Sequence, residues 1–264
     1  MKTLEYPVAW WRAYSAFSGY RRLLRANSAS RPQSGGQRGQ ALALVFVPGW
    51  ASNAGVGRPL LAELAAELSP LESTAWHCPW PTDSLLHSEK VQMLRAVLLR
   101  AEAAGAEHIA LIAHSYGGLV AATTLLDYAP KSALTTEIIT LNTPFRGPRK
   151  GLLFLGQLLT RLRRGLSNDP ELDFMSPDSE ALRALRERLT SSSRGFRLRT
   201  LTSAHDEFVA HASGQLAGAE LAADGLQSLQ GHTGLLVRPR ERKILVKALA
   251  AALRDDHHYD SQSQ

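Results

Sequence analysis

Two hydrophobic periods alternate along most of this chain. From Ala41, "ALALVFVPG" is an unbroken apolar run closed by Pro-Gly, which predicts a buried strand. "RPLLAELAAEL" then repeats leucine at three- and four-residue spacing, which predicts a helix. The pattern continues with "STAWHC" as strand, "SEKVQMLRAVLLRAEAAG" as helix, His108 to Ala113 as strand, and "LVAATTLLDYA" as a helix ending before Pro130. "EIITL", a basic helical stretch, "FRLRTLTSA" and the closing helix "RPRERKILVKALAAALR" complete it. Strands that alternate with helices predict an α/β domain in three layers, a mainly parallel sheet with helices on both faces.

The pattern is absent at the two ends. Residues 1–40 hold an aromatic and basic segment, "WWRAYSAFSGYRRLLR", followed by "NSASRPQSGGQRGQ", which has the composition of a flexible linker. The folded domain is expected over 41–254 and a polar tail over 255–264. With 264 residues, 44% of them hydrophobic, one sizeable domain is expected. Cys78 is the single cysteine, so the chain can form no intramolecular disulfide and no cysteine-cluster metal site. The N-terminus lacks the apolar core of a secretory signal and no run reaches membrane-span length, so the expectation is a soluble cytoplasmic protein. A formal net charge of +6 suits an anionic membrane surface or nucleic acid alike. No nucleic-acid-binding motif is present, and no such partner is expected.

In an open parallel sheet, ligands bind outside the carboxyl ends of the strands, so the residues just after each strand carry the chemistry. "HIALIAHSYGG" runs a strand straight into Ser115 and then a helix. A turn that tight needs small residues two before and two after the serine, and Ala113 and Gly117 are small. The helix behind it directs its free N–H groups at the serine oxygen, which suits a developing anion. An N-cap role for Ser115 is the competing reading. "PGW" after the first strand leaves the backbone N–H of Trp50 to point into the site beside that of Tyr116, a pair of oxyanion donors; an ordinary strand-end turn is the alternative. After "FRLRTLTSA", Asp206 is placed to orient an imidazole, and His232 in "LQGHTGLL" supplies one in the order Ser, Asp, His. His205 and His211 are its rivals. His114, next to the serine, points to the other side of the turn, His77 and His108 have structural positions, His87 opens a helix, and His257 and His258 sit in the polar tail.

Taken in order, "VFVPGWASN", "IAHSYGG", "TLNTPFRGP", "TLTSAHDEFV" and "GHTGLL" resemble the oxyanion loop, nucleophile elbow, Thr-Pro run, acid loop and histidine loop of the α/β-hydrolase superfamily, and within it the compact bacterial lipases and esterases. The first glycine of that family's Gly-x-Ser-x-Gly is Ala113 here, and its usual His-Gly is Pro48-Gly49. The family's leading strands have no counterpart in the polar linker, so the resemblance implies an α/β-hydrolase fold of about six strands with a small helical cap over about 148–192. It further implies a serine hydrolase acting on carboxylic esters through an acyl-enzyme: Ser115 as nucleophile, His232 as base, Asp206 as its orienting acid, and the N–H groups of Trp50 and Tyr116 as the oxyanion hole. No metal or organic cofactor is implied. A thioesterase, amidase or acyltransferase would use the same residues, and a non-catalytic lipid- or membrane-binding member is the alternative from another class.

The cap stretch "GLLFLGQLLTRLRRGL" is apolar at helical spacing, and Arg146, Arg149, Lys150, Arg161, Arg163 and Arg164 meet no acidic residue between Glu137 and Asp169. A solvated cap helix is one expectation. An interfacial helix in peripheral contact with anionic lipid, admitting a small-molecule or lipid-like ester, is the other.

Overall fold

The computed structural model describes residues 42–69, 71, 73–78, 86–128, 134–149, 151, 169–191, 195–221 and 225–260, the last six of these as backbone only. The segment 1–40, most of the basic cap stretch, and residues 261–264 lie outside the described residues.

Five strands form one sheet: β1 (Leu42–Val47), β2 (Ser73–His77), β3 (His108–His114), β4 (Thr135–Leu141) and β5 (Arg197–Leu201), in the order β2-β1-β3-β4-β5. Every neighbouring pair is parallel. Parallel neighbours require crossovers, and the intervening segments supply helices: α1 (Arg58–Leu68), α2 (His87–Ala103), α3 (Tyr116–Asp127), α4 (Pro170–Met175), α5 (Glu180–Thr190), the single turns α6 (His211–Gly214) and α7 (Gly234–Val237), and α8 (Pro239–Asp260).

Alternate strand residues feed two separate cores. Ala43, Val45, Val47, Ile109 and Leu111 face α2, α3 and α5, where Leu94, Leu98, Leu119 and Leu185 meet them. Leu42, Leu44, Phe46, Ala110 and Ile112 face α1 and α8, against Leu60, Leu64, Leu245 and Leu249. Burial on both faces is why β1 and β3 read as continuous apolar runs rather than as alternation.

The five strands are those the hydrophobic pattern marks; about six were expected. At the sixth position, beside β5, the described residues make only isolated parallel bridges, Thr200 with Glu220 and Ala204 with Gln230. Gly225, at φ 81°, and a short turn over Leu226–Ser228 lie between the two bridges.

Strand order reverses between β1 and β3, since β2 lies on one side of them and β4 and β5 on the other. That crevice, a topological switch point, is where open α/β sheets place their ligands. Trp50 follows β1 and Ser115 follows β3, so both stand at its mouth.

Candidate active site

Among the described residues, four that are not glycine have positive φ: Ala51 at 49°, Ser115 at 54°, Asn142 at 54° and His205 at 55°. Each lies just beyond the carboxyl end of a strand: β1, β3, β4 and β5 in turn. Left-handed backbone is costly outside glycine, and here it collects at one end of one sheet.

Ser115 stands between β3 and α3 with φ 54° and ψ −128°, and its side chain makes no cap hydrogen bond to the helix. Its N–H donates to Leu141 O at 2.8 Å, which ties the turn to β4. The elbow is possible only because its flanks are bare. A Cβ on Gly117 would collide with the carbonyl oxygens of Val47 and Pro48, and one on Gly49 would lie 2.9 Å from Cβ of Ser115. The turns after β1 and β3 are therefore packed backbone against backbone.

Freed from capping, Ser115 Oγ lies 2.9 Å from Nε2 of His232. The other ring nitrogen, Nδ1, lies 2.9 Å from Oδ2 of Asp206. Asp206 also accepts the N–H groups of Phe208 at 2.7 Å and Val209 at 2.8 Å on Oδ1. Burial alone would raise the Asp206 pKa, but His232 and these two N–H groups outweigh it and hold the carboxyl below the usual carboxylate range. An ionised Asp206 requires the proton of His232 on Nδ1, which leaves Nε2 free to accept the serine hydroxyl proton. Burial works to lower the His232 pKa as well, yet the charge and hydrogen bond of Asp206, with Glu207 nearby, leave it raised. Phe208, partly exposed, packs tilted on the imidazole with ring centres 4.9 Å apart.

The backbone of His232 is gripped from three sides. Its N–H donates to Glu207 Oε2 at 2.9 Å. Its carbonyl accepts from His114 Nε2 and from Asn142 Nδ2, both at 2.9 Å. Asn142 is fully buried; its Nδ2 also donates to Ser203 Oγ at 2.9 Å, while its Oδ1 accepts from Ser203 N at 2.7 Å. His114 is kept neutral by burial first and by His232 second, its pKa lowered to about 3. It contacts His232 and does not bond Ser115. Neither Asn142 nor Glu207 carries a short-range signal beyond its place after a strand, and the sequence reading passed over both.

Trp50 lies in the turn after β1 and Tyr116 directly follows Ser115. Tyr116 opens α3, so its N–H has no intrahelical acceptor, and neither backbone N–H donates to another group among the described residues. Their side chains join a polar cluster around Asp169 and His87. Trp50 Nε1 donates to Asp169 Oδ2 at 3.1 Å, and Tyr116 OH pairs with His87 Nδ1 at 2.8 Å. His87, with pKa lowered to about 4 by burial and then by Lys90, stacks on Phe174 with ring centres 3.7 Å apart. Lys90 forms a buried ion pair with Glu171. Among the rival histidines, His205 and His211 are exposed and bond neither Ser115 nor Asp206. They line a cavity of about 510 Å3 behind the acid loop, with Arg149 and Thr202, which does not reach Ser115.

Among curated proteins none matches the chain in sequence. A sequence family described as PGAP1-like alpha/beta domain matches residues 87–208, from the start of α2 to the acid loop. Among solved structures, the mature form of Bacillus licheniformis lipase BlEst2 is similar with TM-score 0.55 and 15% identity, over 78% of this chain and 91% of that one. Aspergillus fumigatus lipase B gives TM-score 0.56 and 19% identity over 82% of this chain, which spans only 54% of the lipase. The metagenomic carboxyl esterase MGS0156 gives TM-score 0.52 and 16% identity over 86% of this chain and 80% of its own. The parallel sheet with its switch point and these likenesses show that the chain has the fold of the α/β hydrolases, with the PGAP1-like match spanning 87–208 of it.

Proposed function

We propose that the protein is a serine hydrolase that cleaves carboxylic esters through an acyl-enzyme. The observation that carries this reading is the unbroken relay from Asp206 through His232 to a strained Ser115, two contacts of 2.9 Å each. His232 Nε2 takes the Ser115 proton as Oγ attacks the ester carbonyl carbon, while Asp206 stays ionised and stabilises the imidazolium. The tetrahedral oxyanion is received by the N–H groups of Trp50 and Tyr116. The imidazolium then protonates the departing alcohol, and water repeats the sequence on the acyl-enzyme.

Lipases and esterases among the structural likenesses support an ester as the scissile group, and the arginines of the cap stretch support a lipid-like one presented at an anionic surface. The test is labelling by a fluorophosphonate together with turnover of p-nitrophenyl esters of graded chain length and a matching thioester. Ser115→Ala is expected to lose labelling and at least three orders of magnitude of turnover while its circular dichroism stays native. Near-normal turnover by that variant would overturn the assignment, and labelling without ester cleavage would move the chemistry to another acyl substrate.

A further inference from the structure

The buried cluster behind Trp50 and Tyr116 is built around Asp169. Its carboxylate is fully buried and acts on two structures at once. Oδ1 accepts the N–H groups of Glu171 at 3.0 Å and Leu172 at 3.4 Å, capping α4. Oδ2 accepts the indole N–H of Trp50 at 3.1 Å. Two residues on, Glu171 pairs with Lys90 of α2, whose ammonium stands 5.4 Å over the ring centre of Tyr116. Three residues further, Phe174 stacks on His87, which bonds the Tyr116 hydroxyl. Asp169, Glu171 and Phe174 thus reach the two residues that flank Ser115, one through Trp50 and two through Tyr116 or its partners.

This arrangement concerns the oxyanion donors and not the base. Tyr116 N–H is fixed already, because α3 is clamped to β1 by the contact of Gly117 with the carbonyls of Val47 and Pro48. Trp50 has less support: it sits in a turn next to Ala51, at φ 49°, and its side chain is only half-buried. The bond from its indole to Asp169 ties the side chain of residue 50 to the start of α4. We propose that Asp169 is a positioning residue for the hydrolysis assigned above: it holds the Trp50 backbone N–H on the oxyanion, so the hole is complete only while the start of α4 is docked. The inference rests on that serine-hydrolase reading. It adds that the returning end of the cap segment completes the hole.

Trp50→Phe removes the indole N–H but keeps the ring, the backbone donor and the cap of α4. Asp169→Asn keeps an oxygen for the cap and turns an NH2 group toward the indole, so donor faces donor. Each single variant is expected to lose about 10- to 100-fold in kcat, less than deletion of an oxyanion donor, with KM for a short-chain p-nitrophenyl ester within about threefold. Affinity for a boronate or phosphonate that presents a tetrahedral oxygen should fall by the same factor as kcat. Asp169→Asn placed on Trp50→Phe should cost no further oxyanion-mimic affinity, because Asp169 reaches residue 50 through the indole bond. Additive losses, or kcat losses without loss of oxyanion-mimic affinity, would overturn the proposal. So would a wild-type kcat in Trp50→Phe. Wild-type turnover by Ser115→Ala would instead strike the underlying reading, which keeps the two failures apart. Native melting temperature in Trp50→Phe guards against a merely unfolded variant.

Discussion

Replacing Asn142 by alanine should be among the most damaging changes that leave every proposed reacting group in place. The side chain donates to Ser203 Oγ and His232 O at 2.9 Å and to Gly231 O at 3.3 Å, and accepts from Ser203 N at 2.7 Å. Apart from the half-buried contact with Gly231, these bonds are buried, so no water replaces them at once. The carbonyl of His232 keeps its bond from His114, whereas the Ser203 N–H loses its acceptor and costs roughly 1–3 kcal/mol by itself. Asn142 also holds φ 54°, a conformation that asparagine tolerates and alanine resists by roughly 1 kcal/mol or more. The expected loss is therefore about 2–4 kcal/mol, a large share of the roughly 5–15 kcal/mol that holds a domain folded. Asn142→Gly separates the two contributions, since it removes the same hydrogen bonds without the φ penalty, and should be about 1 kcal/mol less destabilised than the alanine variant. Urea unfolding followed by tryptophan fluorescence measures both. At temperatures where the variants remain folded, kcat should fall at least tenfold, because the loop carrying His232 loses one of its three anchors. Alanine within about 0.5 kcal/mol of the parent, with unchanged kcat, would refute the claim that Asn142 supports the histidine loop.

Asp206→Asn should lower kcat at least a hundredfold and, because the Asp206 charge is what keeps the His232 pKa raised, move the acid limb of the kcat/KM profile to lower pH; a limb that stays or rises would contradict the pairing. Gly117→Ala should give little folded protein, since its Cβ would strike the backbone of β1 and the turn after it, while Gly195→Ala, with no atom within 4 Å of its Cβ, should melt as the parent does. Reversing Arg161, Arg163 and Arg164 to Glu should weaken co-sedimentation with anionic vesicles by orders of magnitude, with each arginine contributing about 1 kcal/mol, and spare soluble short-chain esters. Added salt should mimic that reversal in the parent, and equal vesicle binding by parent and variant would remove the membrane contact.

Local pattern reached far into this fold, and its reach has a physical limit. "ALALVFVPG" and "HIALIAHSYGG" announce β1 and β3 because a strand covered on both faces must be apolar throughout and must stop where proline or glycine turns it. Ser115 is read from the apolar run before it, whereas Asp206 and His232 are read from loops near strand ends in the order Ser, Asp, His and from the family resemblance. What brings them into register is invisible at that range. Asn142 meets His232 across 90 residues, Trp50 meets Asp169 across 119, and His114 meets His232 across 118. A buried lysine such as Lys90, in an otherwise ordinary helix face, looks like a solvated charge until Glu171 is laid against it. The broken sixth edge was illegible too, because two isolated bridges leave no alternation to read.

The bonds that pin residues 147–149 and 169–171 have a consequence for how such a protein changes over generations. At one end Gly147 O accepts from Ser213 Oγ at 2.7 Å and Arg149 N donates to Phe208 O at 2.9 Å; at the other, Asp169 and Glu171 are locked to Trp50 and Lys90. The stretch between those anchors leaves and rejoins the domain at two fixed points. Doubling the length of such a stretch adds only about 0.6 kcal/mol of closure entropy. Duplication, deletion or wholesale exchange there is cheap for the scaffold, provided the four anchoring residues are inherited together. Sequence between the anchors can then be exchanged as a unit, without retuning the residues that the anchors hold.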